Sequence, residues 1–503
     1  MIRRAHDVDL RCEERLQLLS QRRAAVGRVL AVRVHVDAKA FALGVGHTGI
    51  VPHRELTLRR YIPAVACRCV SDVDDLQRRI SDKDAKIAVV GLGYVGIPVA
   101  VSFAAAGFDV VGVDQKRERV DVLNAGRLPL ATNEPGLEPL LTAARSAGRF
   151  RATTDELALR DRDVAIIAVD TPVADHRPDT RQLAGACRVV AQHVMRPAVV
   201  VVESTVAPRT MRELVAPIFG EGVFLVHCPE RVRPGRLVRN LRGMARLVGV
   251  ADPQVGVLGT ELYRNIVQAD LVVSDWETAE VIKTAENAAR DVQIALANQL
   301  AIISDHAGVD VRKVREQINR LWAAEPLILE PGAGVGGHCL PKDPWLLVSG
   351  LPADASRALV EGARALNESM PAHASAIVAR ALGDAGVVAR GARVAVLGLT
   401  YEANSDDERN APGPRVAAEL ERSGMTVVRH DPFVTKDDVV AALRGADAVV
   451  VVVPHARYRE ADWDALGAAM RHRVFVDCRR AFEADALRGI GFKYRALGVA
   501  ALR

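Results

Sequence analysis

Lys86-Ile87-Ala88-Val89-Val90-Gly91-Leu92-Gly93-Tyr94-Val95-Gly96 sets the architecture of this chain. Lys86 to Val90 is a compact apolar run of strand character, Gly91, Gly93 and Gly96 make a turn, and an Ala-rich helical stretch runs on to Ala106. Gly107 supplies a helix stop, and Asp109–Val113 is a second apolar strand ending at Asp114. Strand, turn, helix and strand in that order form one βαβ unit, the building block of parallel sheet. In a Gly-x-Gly-x-x-Gly turn the first glycine permits the tight bend, the second lets backbone approach a pyrophosphate, and the third allows close helix–strand packing. The phosphates then sit at the helix N-terminus. Asp114 lies eighteen residues past Gly96, where a carboxylate binds both ribose hydroxyls and repels a 2′-phosphate. The expected cofactor is therefore NAD rather than NADP, held by Gly91, Gly93, Tyr94, Val95, Gly96 and Asp114.

Working outward, further strands are expected at Val164–Val169, Val199–Glu203 and Val223–His227, separated by helical pattern. A long helix follows, with Ser274 and Glu277 as its capping box, Gly308 as its terminator and no Pro or Gly between. A helix of that length bridges domains or builds a subunit interface, and Ala288, Ala289, Ala295 and Ala297 suit close packing. The alternation restarts with strands at Val394–Leu399, Thr426–His430, Ala448–Val453 and Val474–Asp477 and a helix at Pro414–Ser423. The fold class is α/β: two Rossmann-like doubly wound parallel-sheet domains, 85–265 and 386–503, joined by a long central helix and an all-α middle region, 266–385. Two folds of this type can hold two nucleotides.

The formal net charge of +5 over 503 residues is too small for a nucleic-acid footprint across the body, and much of the excess Arg sits near the start. No apolar run reaches the roughly 18–20 residues needed to span a bilayer. Seven cysteines, an odd number thinly spread, point to reduced thiols, and Cys67 and Cys69 lack a second pair at zinc-site spacing, so no metal is expected. The chain reads as soluble and cytoplasmic, with no nucleic-acid or membrane partner. Residues 1–84 form a basic extension: a small appended element, a poorly ordered segment, or an over-extended start, since no Met follows Met1 until Met195.

Three further clusters carry chemistry. Gly334-Val335-Gly336-Gly337-His338-Cys339-Leu340-Pro341-Lys342-Asp343 is a sterically open loop with a cysteine at its end, fit for a nucleophile or, read by itself, a tight turn over a buried thiol. Lys283 and Asn287 are four residues apart on one helical face, with Arg290 at the next turn, fit to hold an oxyanion or water or simply to form a polar stripe. His227-Cys228-Pro229-Glu230-Arg231-Val232-Arg233-Pro234-Gly235 follows a strand end, making Glu230 a candidate base and Arg231 a candidate anion clamp, or a charged surface loop.

Together these segments resemble the UDP-glucose/GDP-mannose dehydrogenase family over about Lys86 to Gly498. The agreement includes Glu134-Pro135-Gly136-Leu137, Thr171-Pro172, Ser204-Thr205-Val206, Asn367-Glu368-Ser369-Met370-Pro371 and Asp406-Asp407-x-Arg409. The resemblance implies a hydroxymethyl group oxidised twice without release of the aldehyde. Cys339 would be the nucleophile, Lys283 the oxyanion stabiliser and Asn287 a positioning group. Asp343 would orient water, Glu230 would assist proton transfer, Thr171 would lie near the nicotinamide and the substrate as a catalytic residue, and Thr205 would lie by the cofactor. Arg231, Arg290, Gly336, Gly337, His338 and Arg409 would contact a UDP-amino-sugar, and a homodimer or larger homo-oligomer is expected. The Glu230-Arg231-Val232-x-Pro234-Gly235 form resembles the branch acting on 2-acetamido sugars, with UDP-N-acetylmannosamine ahead of UDP-N-acetylglucosamine and UDP-glucose. Four departures stand out. Arg209 replaces a usual Gly, Gln299 a usual Glu and Glu402 a usual Lys, and Leu321–Glu325 replaces a shorter His-Pro-Arg-type stretch. A carboxylate at Glu402 is expected to weaken binding of a diphosphate.

Overall fold

A computed structural model describes residues 62–130, 134–233, 235–321 and 326–499, with the side chains of 62–70 left out. Most of the basic extension, the side chains of Cys67 and Cys69, Pro234 and residues 322–325 of the altered loop lie outside the described residues.

The first sheet comprises β1 (Lys86–Val90), β2 (Asp109–Val113), β3 (Phe150–Thr153) and β4 (Val164–Ile167). A two-residue hairpin, β5 (Val173–Ala174) and β6 (Arg177–Pro178), stands apart from it. Then come β7 (Ala198–Val202), β8 (Val223–His227), β9 (Arg246–Val250) and β10 (Leu271–Asp275). Their order is β10-β9-β8-β7-β4-β1-β2-β3, parallel throughout except where β9 runs against β8. The central strands are apolar end to end because helices cover both faces; Ala198–Val202 is buried at all five positions. The chain leaves β1 toward β2 and later returns to its other side as β4, so a crevice opens at their carboxyl ends.

The helix Ile62–Ser81 changes the picture of the extension. Leu76 and Ile80 are fully buried in the first domain's core, and Arg79 pairs with Asp163. The segment expected to stand apart through residue 84 thus ends as packed structure.

The long helix spans Trp276–Ala307, 32 residues, or about 48 Å at 1.5 Å per residue. Its cap is Asp275, the last residue of β10, not the expected Ser274 one residue earlier: the Asp275 carboxylate accepts from the Thr278 N–H at 2.8 Å. Gly308 ends it with φ +76°, as expected. A second long helix, Ala358–Asp384, packs on it through buried polar groups. Arg364 pairs with Asp291 at 2.7 Å, and the Asn367 amide donates to Asp291 while its side-chain carbonyl accepts from Asn298. The Asn367–Pro371 motif is therefore a helix–helix joint.

The second sheet comprises β11 (Arg393–Leu397), β12 (Thr426–His430), β13 (Ala448–Val451), β14 (Val474–Asp477) and β15 (Lys493–Ala496), in the order β12-β11-β13-β14-β15, all parallel. No helix among the described residues is long and apolar enough to cross a membrane.

Candidate active site

The glycine turn after β1 fits a dinucleotide. Gly91 has φ +93°, and a Cβ there would lie 2.6 Å from the Ala168 carbonyl oxygen. A Cβ on Gly96 would lie 1.8 Å from the Gly91 oxygen, so only glycine lets the helix Gly96–Ala105 start so close to the strand. Gly93 faces open space, leaving its backbone free for approach. Asp114 accepts from the N–H groups of Leu92 (2.8 Å) and Lys116 (2.9 Å) and from Arg119 (2.9 Å). Burial pushes its carboxyl up, but these donors outweigh that and hold it below the ordinary aspartate range.

Across the crevice, the ends of β4 and β7 are tied together. Thr171 Oγ1 donates to the Thr205 carbonyl at 2.6 Å, and Ser204 Oγ to the Val169 carbonyl at 2.7 Å. The loop after β8 brings in Glu230, buried, whose carboxylate accepts the Val232 N–H at 2.6 Å. Glu134 accepts from Gly235 and Leu237 and so anchors that loop's far end.

The thiol loop closes the site. The Cys339 carbonyl accepts from the N–H of Lys342 (3.1 Å) and of Asp343 (2.9 Å), a turn that leads into the helix Asp343–Ser349. Asp343 is fully buried, takes Lys342 Nζ at 2.6 Å, and accepts from Asn287 on the long helix at 2.5 Å. Lys283, one turn before Asn287, is buried; burial lowers its pKa, but the carboxylates of Glu230 and Asp343 and the Cys339 thiol outweigh that and raise it. It is therefore a cation at neutral pH. Burial, with Asp343 and Glu230, pushes the Cys339 thiol up to about 11, while Lys283 and Lys342 pull the other way. Lys283, Asp343, Glu230 and Cys339 thus feel one another's charge, and Asn287 joins them through its bond to Asp343.

Two expected contacts differ. Arg231 is not a free clamp: its guanidinium pairs with Glu286 at 2.8 Å and donates to the Ala245 carbonyl. Arg290 does not share the buried face of Lys283; it is exposed. The step from Lys283 to Arg290 falls just short of two turns of 3.6 residues, so the register is nearly kept although the burial is not.

The second sheet domain also reaches this site, at Arg409 as the resemblance implies and at Tyr401, which the sequence did not single out. A Cβ on Gly336 would lie 2.5 Å from Tyr401 Cβ, and Gly337 donates its N–H to the Arg409 carbonyl at 2.8 Å. The Arg409 guanidinium is gripped by Asp407 at 2.6 Å and lies 4.5 Å from the Tyr94 ring centroid. His338 sits 3.9 Å from Asp170. Glu402 is exposed, and Arg209 adopts φ +74°, a conformation natural to the glycine usual there.

Residues 85–267 match the NAD binding domain of the UDP-glucose/GDP-mannose dehydrogenase family, residues 277–369 its central domain and residues 395–484 its UDP binding domain. With a dinucleotide turn, a second nucleotide fold and a thiol between them, the molecule is an NAD-dependent dehydrogenase of nucleotide sugars. The chain belongs to the UDP-glucose/GDP-mannose dehydrogenase family. It is 37% identical over 422 residues to a UDP-N-acetyl-D-mannosamine dehydrogenase of Pyrococcus horikoshii, covering 82% of this chain and 99% of that one. An NDP-N-acetyl-D-galactosaminuronic acid dehydrogenase of Ralstonia nicotianae is 34% identical over 441 residues, covering 82% and 100%. The solved structure of the Pyrococcus horikoshii UDP-D-ManNAc dehydrogenase superposes with a TM-score of 0.78 at 35% identity, covering 82% of this chain and 99% of that one.

Proposed function

We propose that this protein oxidises the C6 hydroxymethyl group of UDP-N-acetyl-D-mannosamine to a carboxylate in the cytoplasm, in two NAD-dependent steps joined by a Cys339 thioester. The convergence of Cys339, Lys283, Asn287, Asp343 and Glu230 supports it, as does the similarity to a Pyrococcus horikoshii protein of that activity. Bound NAD supplies the hydride acceptor, once for each oxidation. Glu230 takes the hydroxyl proton as the alcohol becomes an aldehyde. The thiol then adds to the carbonyl carbon, forming a C–S bond and passing its proton toward the oxygen, whose charge Lys283 and Asn287 stabilise. Loss of a second hydride gives the thioester. Water held by Asp343 attacks it, the C–S bond breaks, and the sulfur recovers its proton. One alcohol, two NAD⁺ and one water give one carboxylate, two NADH and three protons. A buried thiol kept protonated in the free protein is spared unproductive reaction until an aldehyde lies beside it. The product would feed surface polysaccharide or glycan synthesis.

In this reading 85–265 binds NAD with Tyr94, Val95, Thr171 and Thr205 near the cofactor, 266–385 carries the chemistry, and 386–503 binds UDP with Arg409. A second copy of the chain is the expected partner. Ile282, Ala289, Leu296 and Ile303 are exposed at a strict seven-residue spacing along the long helix, a stripe that a neighbouring helix covers well. Sedimentation of a monomer at micromolar concentration would remove that part.

The purified chain with NAD and UDP-N-acetylmannosamine should yield two NADH per sugar. One NADH, or turnover only with UDP-N-acetylglucosamine or UDP-glucose, would redirect the substrate assignment. Cys339→Ser should lose uronate formation by about 10³-fold or more; steady uronate production by that variant would refute the thioester. The exposed carboxylate of Glu402 favours a second reading, an impaired homologue that binds NAD and nucleotide sugar without turnover. Tight NADH binding with no product from any UDP-hexose would establish it.

A further inference from the structure

We propose that Glu280 is a positioning residue for the nicotinamide half of the cleft: its carboxylate, seated between the backbone N–H groups of Arg209 and Met211, fixes the end of the loop that runs from Thr205 against the helix that carries Lys283. The side chain is fully buried, one turn before Lys283 on the long helix. Its two oxygens accept from the Arg209 N–H at 2.5 Å and the Met211 N–H at 2.7 Å. Arg209 has φ +74° and Thr210 is right-handed, and such a left–right pair turns its N–H groups inward into a concavity that binds an anion. Here the anion comes from the protein itself. Thr205 lies four residues earlier in the loop that leads into this turn, and its carbonyl holds Thr171.

These contacts bear on the cofactor through the sheet order. The pyrophosphate belongs at the glycine turn after β1 and one ribose at Asp114 after β2. The remainder of the dinucleotide then extends over the ends of β4 and β7, where Thr171 and Thr205 lie. The proposal rests on that reading of the cleft. Arginine at position 209 makes the carboxylate more necessary, because the chain rarely holds a positive φ without glycine.

The charged groups facing Glu280 are Glu277 on its own helix and Arg212 on the segment after the turn, while the Arg209 side chain is exposed and paired with Glu213 at 2.6 Å. Burial raises the Glu280 carboxyl to about 7, with Glu277 adding to the rise and the two N–H groups and Arg212 opposing it. Near neutral pH it is therefore shared between a form that accepts both N–H groups fully and one that does not.

The test is binding of NADH and of ADP-ribose, which lacks the nicotinamide, to the full chain. Glu280→Gln places an amide NH2 against one of the two N–H groups, so NADH should bind about tenfold more weakly while ADP-ribose stays within about twofold. Adding Arg209→Gly should restore most of the loss, because glycine holds the turn unaided. In the unmodified protein NADH affinity should fall as pH drops through about 7, with ADP-ribose level. An unchanged NADH affinity in Glu280→Gln, parallel loss of both ligands, no recovery with glycine, or a level NADH profile would each overturn the proposal. Asp114→Ala should weaken both ligands; if it weakens neither, the underlying placement of the dinucleotide fails instead.

Discussion

In the first sheet domain β1 runs into Gly91, and in the second β11 runs into Gly398, with φ of +93° and +92°. A Cβ on Gly96 would strike the Gly91 oxygen at 1.8 Å, and one on Gly413 would strike the Gly398 oxygen at 2.1 Å. Asp114, after β2, accepts the Leu92 N–H at 2.8 Å; Asp431, after β12, accepts the Leu399 N–H at 2.7 Å. The plan is shared, and the two domains diverge in how the acid is used. Asp114 keeps an edge at the surface. Asp431 has none: it also takes His455 Nε2 at 2.9 Å and the Phe433 N–H at 2.9 Å, and it is fully buried. An acid whose lone pairs are consumed internally braces the turn and cannot bind a ribose. The spacing differs too, five residues from Gly91 to Gly96 but fifteen from Gly398 to Gly413. The ten extra residues include Tyr401, Arg409 and Asn410, which lean on the thiol loop.

The strongest way to break this parallel is at the paired glycines. Gly96→Ala and Gly413→Ala each drive a Cβ into a backbone carbonyl, which no side-chain rotation relieves, at a cost of about 3 kcal/mol or more. Gly96→Ala should abolish NADH binding, whereas Gly413→Ala should lower the melting temperature and leave NADH binding to the first domain. Equal loss of NADH binding in both would mean that the two domains do not act separately.

The acids sharpen it next. Asp431→Asn breaks a buried hydrogen-bonded cluster and should cost about 3 kcal/mol in urea unfolding. Asp114→Asn should mainly lower NADH affinity. Burial pushes the Asp431 carboxyl up, but His455 and the Phe433 and Leu399 N–H groups outweigh it and hold the folded value below the unfolded one. Its contribution is therefore present above about pH 4 and lost as pH falls through the folded value, so Asp431→Asn should flatten that acid limb. An unaltered limb would place the acid sensitivity elsewhere.

How much of this was legible in the sequence follows from burial. Strands covered on both faces, such as Ala198–Val202 and Ala448–Val451, are apolar throughout and were read to within two residues. Besides the two-residue strands β5 and β6, the strands that went unread are β3, β9, β10 and β15, where Phe-Arg-Ala-Thr or Lys-Tyr-Arg-Ala alternates polar and apolar, Arg246 opens β9, and β10 is an exposed edge. Four-residue spacing put Lys283 and Asn287 on one face, and only the family resemblance gave that face a role. Spacing also placed Arg290 along that face, but it could not tell that Arg290 is exposed where Lys283 is buried. Glu280, Tyr401 and the Arg409–Tyr94 contact join segments between about seventy and three hundred residues apart, and no local pattern records such meetings.

The smallest effect is expected where the two domains touch. Arg409 holds Asp407 with two guanidinium nitrogens and lays the same planar group over Tyr94 in the NAD turn. Arg409→Lys keeps the charge but cannot make the paired hydrogen bonds or the flat contact, a loss of about 1 kcal/mol. The backbone bond from Gly337 to the carbonyl of residue 409 survives the change, so the thiol loop stays in place. What should change is coupling: NADH should raise the melting temperature of the whole chain in the unmodified protein, and in Arg409→Lys it should raise that of the first domain more than that of the second. Equal shifts for both domains would show that the link between the two nucleotide folds runs through the long helix rather than through this one side chain.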